Sequence, residues 1–143
     1  MRFGWFSIVL VLIIAIPACH RAKSHKPVYP VKGRVVDSHD KPAVGAMLVF
    51  HPVSPSDNDV AKPVAQVDES GSFSLTTYVA GDGAPEGEYA VTIIWPEPKK
   101  TPFSPPGPDQ LKGEYGNAAS PRIRFTVEKK ALNEVPPIKL VAS

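Results

Sequence analysis

Proline recurs along almost the whole chain, at Pro27, Pro30, Pro42, Pro52, Pro55 and Pro63 in the first half and again from Pro85 onward. Inside a helix each would remove a hydrogen bond and clash with the preceding turn, at a cost of about 3 kcal/mol. Where prolines thin out, between Pro63 and Pro85, Gly71, Gly81 and Gly83 break the chain instead. With 17 prolines, 10 glycines and 43% hydrophobic residues, the sequence can pack a core, but only from short pieces. An all-β protein is the expected result.

The exception is the beginning. Residues 5–16 form one apolar run after the single charge of Arg2, and Pro17 and Ala18 then lead to Cys19, the only cysteine. A membrane-spanning helix needs about 20 apolar residues, so this run is expected to be an export signal. Ile16-Pro17-Ala18-Cys19 resembles the bacterial lipobox, although Pro17 is a less usual occupant of its position. The resemblance implies cleavage after Ala18 and a diacylglyceryl group on the Cys19 thiol, so residues 1–18 are expected to be a lipoprotein signal peptide. An ordinary secretory signal would leave an exported protein with one unpaired thiol. Residues 19–27 then read as the lipidated cysteine and a tether, with basic side chains at Arg21, Lys23 and Lys26 beside the headgroups.

Residues 28–143 suit one domain, since domains most often run to about 100–150 residues. Val31–Val36 alternates, and 37–42 follows as a cluster of turn formers. Residues 46–50 are a continuous apolar run, as in a strand buried on both sides. Residues 64–67 and 71–76 flank Asp68-Glu69-Ser70-Gly71, which predicts a β-hairpin with Phe73 and Leu75 inward. Residues 89–95 give the clearest strand, with Tyr89, Val91, Ile93 and Trp95 on one face. Ile123, Phe125 and Val127 alternate with Arg122, Arg124 and Thr126, and a last short strand is expected at 138–141. About seven strands without a long helix predict a single Greek-key β-sandwich, closed by pairing of its first strand with its last two and with Phe50, Phe73, Val91, Ile93 and Phe125 in its core.

Residues 96–121 stand apart as a proline-rich loop without apolar periodicity. Asp109 is placed to cap a turn or two ending at Gly113. Phe103, Leu111 and Tyr115 have no strand to bury them, so this loop is expected either to bind a partner through those three residues or to fold them over an open sheet edge.

Four phrases recur in the order of a known family: Gly33-Arg34-Val35, Pro42-Ala43-Val44-Gly45-Ala46-Met47-Leu48, Asp68-Glu69-Ser70-Gly71-Ser72-Phe73 and Pro85-Glu86-Gly87-Glu88-Tyr89-Ala90-Val91. Together they resemble the carboxypeptidase regulatory-like domain, a transthyretin-like sandwich similar also to the collagen-adhesin B-type repeats. The resemblance covers roughly residues 31–95 and implies a spacing or binding module without catalysis. Independently of it, Tyr89 can bury its ring while its hydroxyl bonds a loop backbone group.

Few residues offer chemistry. His20, His25, His39 and His51 lack metal-ligand spacing, and Ser56-Asp57-Asn58-Asp59 lacks the Gly and distal Glu of a calcium loop, so no metal or other cofactor is expected. No Gly-x-Ser-x-Gly elbow occurs. A transthyretin-like fold can carry hydroxyisourate hydrolase activity, but those enzymes end in Tyr-Arg-Gly-Ser, and this chain reads Lys139-Leu140-Val141-Ala142-Ser143. The net charge of +2 is no footprint for nucleic acid. The sequence therefore leads to a non-catalytic, lipid-anchored protein of the bacterial cell envelope, facing the periplasm or exterior, with an envelope protein as partner. A carbohydrate-binding module, using Trp95, Phe103 and Tyr115 as a sugar platform, is the alternative, and a transthyretin-like hydrolase a more remote one.

Overall fold

The computed structural model describes residues 25–54 and 61–141. Their eight strands are β1 (Val31–Val36), β2 (Met47–Pro52), β3 (Val64–Gln66), β4 (Ser72–Ser74), β5 (Gly87–Ile94), β6 (Ile123–Val127), β7 (Asn133–Glu134) and β8 (Ile138–Lys139). They form an all-β sandwich of two four-stranded sheets, and no helix occurs among the described residues. In sheet 1, β4 pairs antiparallel with one edge of β1, while β7 and β8 pair parallel with its other edge. In sheet 2 the order is β3-β2-β5-β6, all antiparallel.

The expected closure holds for one of the two strands named for it: β8 pairs with β1, Val35 opposite Ile138, whereas 123–127 joins the other sheet beside β5, and the second partner of β1 is β7, with Val31 opposite Asn133. The second register is offset by one residue from the first. Pro136-Pro137, which cannot donate a hydrogen bond, sits at this slip and divides one line of pairing into two short strands.

The core follows the alternation of the strands. Leu48 and Phe50 from β2, Tyr89, Val91 and Ile93 from β5, and Val31 and Val35 from β1 are all buried. The Phe50 ring meets Tyr89 at 5.9 Å and the edge of Phe125 at 6.4 Å, within the range of favourable aromatic pairs. Phe125, expected in the core, is only partly buried and packs against its rim. The Tyr89 hydroxyl donates to the carbonyl of Pro85 at 2.8 Å, the loop bond expected for it.

The predicted hairpin keeps its turn but splits its arms. Gly71, at a φ of 86°, closes the turn, and the Asp68 carboxylate accepts the backbone N–H of Ser70 and of Ser72. Val64 and Thr76 exchange both backbone bonds at the far end. Between these ties β3 adds to β2 and β4 adds to β1, so the hairpin stitches the two sheets together along one side. The Phe73 ring lies over Gly33, where an added Cβ would come within 2.6 Å of it. Only glycine leaves the ring that space.

Candidate functional site

The opposite side of the sandwich is not stitched. Among the described residues β6 pairs only with β5, and β7–β8 only with β1. Ile123, Phe125 and Val127 turn their backbone groups towards β5, because their partners Val91, Tyr89 and Gly87 lie on the same side of β5 as the bonds of Ile93 and Trp95. The N–H and C=O of Arg124 and Thr126 therefore point away from the sheet. No backbone among the described residues pairs with them.

A groove of about 560 Å³ runs between this edge and β7–β8. Ile123 and Phe125 line one wall, while Val135, Pro136, Pro137 and Ile138 line the other. Arg122, Arg124 and Lys139 also line it, and no carboxylate does. Each cation has an acidic neighbour: half-buried Glu114 for Arg122, and exposed Glu88 and Asp40 for Arg124 and Lys139. Exposed pairs of this kind contribute about 0–1 kcal/mol and exchange readily.

Both ends of the groove are fixed. At one, the Tyr115 hydroxyl accepts the N–H of Val141 at 3.2 Å, and the Arg122 guanidinium stands 5.2 Å from the ring centre. At the other, buried Asn133 accepts the N–H of Glu128 and donates from its amide to the carbonyls of Glu128 and Pro30. Asn133 has all its polar atoms engaged and is the pin that turns the chain from β6 into β7. Sequence reasoning missed it, since an isolated Asn in a polar stretch carries no pattern.

The proline-rich segment divides the three residues singled out in it. Phe103 is 98% exposed, whereas Leu111 is fully buried and Tyr115 is 7% exposed. The reason is backbone pairing: β5 continues past the start of β6, and the loop takes the missing strand's place. Ile93 donates to the carbonyl of Tyr115, Gln110 to that of Trp95, and Glu97 to that of Pro108. Asp109 caps the turn as expected, accepting the N–H of Leu111 and of Gly113, and it also takes the N–H of Trp95. Its stretch forms turns rather than a helix. Leu111 and Tyr115 thus serve as edge cover, and Phe103 alone of the three is offered to solvent.

No protein-family model matches the chain, and no curated protein matches it in sequence. Among solved structures, a 9R-lipoxygenase from Cyanothece PCC8801 aligns with 80% of this chain at 11% identity and a TM-score of 0.42. The chain spans 16% of that protein's length. So distant a likeness carries no argument about activity.

Cys19, His20 and the 56–59 cluster lie outside the described residues. The remaining histidines have separate partners: His25 stacks on Tyr78, His39 Nδ1 is 3.2 Å from the Ser38 hydroxyl, and His51 Nε2 is 2.9 Å from the Thr92 hydroxyl. Burial, with the nearby Lys62 charge, pushes His51 below its ordinary value. Among the described residues no three His, Cys, Asp or Glu side chains gather as a metal site, and no helix is long and apolar enough to cross a membrane.

Proposed function

We propose that this protein is a lipid-anchored interaction module of the bacterial cell envelope: a carboxypeptidase regulatory-like sandwich tethered through Cys19 that contacts a partner protein by its open side. The observation that carries the proposal is the contrast within the sandwich. One side is stitched by the β3–β4 hairpin, while the other presents unpaired backbone at Arg124 and Thr126 beside an apolar groove. Monomeric proteins usually cover such an edge, so an uncovered one next to apolar surface marks a contact site. Phe103, held in water at the proline-rich loop, offers a second point of contact.

The glycan reading draws less support. Trp95 donates its indole N–H to the carbonyl of Val44 and packs partly against the core, and Tyr115 is buried, so two of the three candidate platform aromatics are engaged.

The anchor and the contact are tested separately. In a bacterial host fed labelled fatty acid, the wild-type chain takes up label and sediments with membranes, and Cys19→Ser does neither. Retained label in that variant removes the anchor from the proposal. A photo-crosslinking residue at position 124 is expected to trap a partner in the envelope, whereas one at Gln66, on the stitched side, traps none. Trapping at position 66 and not at 124 rejects the open side as the contact surface.

A further inference from the structure

Resting on that reading of the open side, we infer that its partner presents an extended segment, alternating apolar and acidic residues, that adds to β6 as a fifth strand of sheet 2.

Four features of the edge define this occupant. Arg124 and Thr126 face outward with both N–H and C=O, and a strand is the structure that satisfies such a row at its own spacing. Five residues of β6 span about 17 Å, enough for a segment of five or six residues. Along an added strand, alternate side chains would point inward between the sheets, where Ile123, Phe125, Val135 and Ile138 line the groove. The other side chains would point outward beside Arg122 and Arg124, on the outer face of sheet 2, where carboxylates are favoured.

The two walls of the groove are not equivalent. Pro136 and Pro137 lack N–H groups, so the β7–β8 edge cannot template a strand across its middle, and pairing is directed to β6. The cations that line the groove favour an acidic visitor, which makes the edge selective as well as open.

The test uses the full-length chain and two fluorescent peptides that alternate valine with glutamate or valine with lysine. Anisotropy is expected to show the glutamate peptide binding at least tenfold tighter, with slowed hydrogen exchange at the Arg124 and Thr126 amides. In Arg124→Glu, whose melting temperature serves as the check on folding, the preference reverses towards the lysine peptide. A glutamate peptide methylated at the backbone nitrogens on one edge is expected to lose binding at least tenfold. Equal binding of both peptides, or binding without slowed exchange at those two amides, overturns strand addition. If the peptides fail while position 124 still crosslinks in the envelope, strand addition falls and the contact surface stands. If position 124 does not crosslink either, both fall.

Discussion

The two sides of this sandwich are built from similar materials and finished differently. On the stitched side, Val64 and Thr76 bond across the sheets, Asp68 closes the turn, and Phe73 fills the space left by Gly33. On the open side, the walls are again apolar and aromatic, but the chain passes between sheets at the β6–β7 turn, held by Asn133, and then leaves two edges facing a groove. The lesson is one of connectivity. A hairpin whose arms enter opposite sheets seals their junction with its own backbone, whereas a crossing turn seals only its own end.

Aromatic truncation is expected to separate the sides most sharply. Phe73→Ala is expected to lose about 3–5 kcal/mol in urea unfolding, and Phe125→Ala, whose ring is already partly in water, about 1–2 kcal/mol. Equal losses would mean that the open side is packed as tightly as the other. Gly33→Ala drives a methyl against the Phe73 ring and Val135, at a cost of about 1–3 kcal/mol. Pairing it with Phe73→Leu should recover part of that loss, and strictly additive losses would show that the ring is not what fills the space.

Asn133→Ala leaves backbone groups of Glu128 without their partner and is expected to cost about 1–3 kcal/mol, with faster exchange at the Glu128 amide. Arg124→Val should change stability by less than about 1 kcal/mol, since the pair with Glu88 is exposed. It also removes a charge that guards the edge, so concentration-dependent self-association in sedimentation is expected.

The smallest effect is on pH. Backbone N–H groups hold Asp37 down, that of Lys41 foremost, and the Ser70 hydroxyl does the same for Asp68. Burial pulls Asp82 up, but the N–H groups of Thr77, Val79 and Tyr78 outweigh it and leave it lowered. All three therefore contribute fully above the ordinary carboxylate value of about 3.9, and their contribution is lost as the pH falls below it. His51, lowered by burial, acts earlier in the same direction, its share being lost as the pH falls from about 6.5. The first shallow decline of stability on acidification should disappear in His51→Gln, while the steeper one near pH 4 remains. An unchanged first decline would clear His51 of it.

Local pattern carried most of the fold. The alternation of 31–36 and 123–127 and the apolar runs near 48 and 91 became strands close to where they were expected, but the run at 46–50 buries one face and leaves Met47 exposed, where a strand buried on both sides was expected. The hairpin was legible as a turn but not as a bridge between sheets, since a sequence shows which arms are adjacent and not which neighbour each prefers. Phe125 was legible as inward-facing, yet whether a strand's dry face meets a core or a groove depends on what lies opposite, and here that is the β7–β8 edge, whose place is set by its pairing with β1. Tyr115 and Leu111 had no period to announce them. Their burial comes from the loop's backbone bonds to β5, and backbone bonding leaves little trace in side-chain identity.

The parallel pairing of β1 with β7 and β8 also sets a schedule. A chain is made from its N-terminus, so Val31 emerges while its partner near Asn133 is still about a hundred residues behind. Closing so long a loop is slow, and contacts of this separation characterise late-forming structure. Until Leu140 has arrived to bond Val36, β1 offers one whole edge and the apolar side chains of Val31 and Val35 to whatever is nearby. A product cut short before Asn133 would be left in that condition, and is a natural target for quality-control proteases. The first strand to appear is the last to be completed.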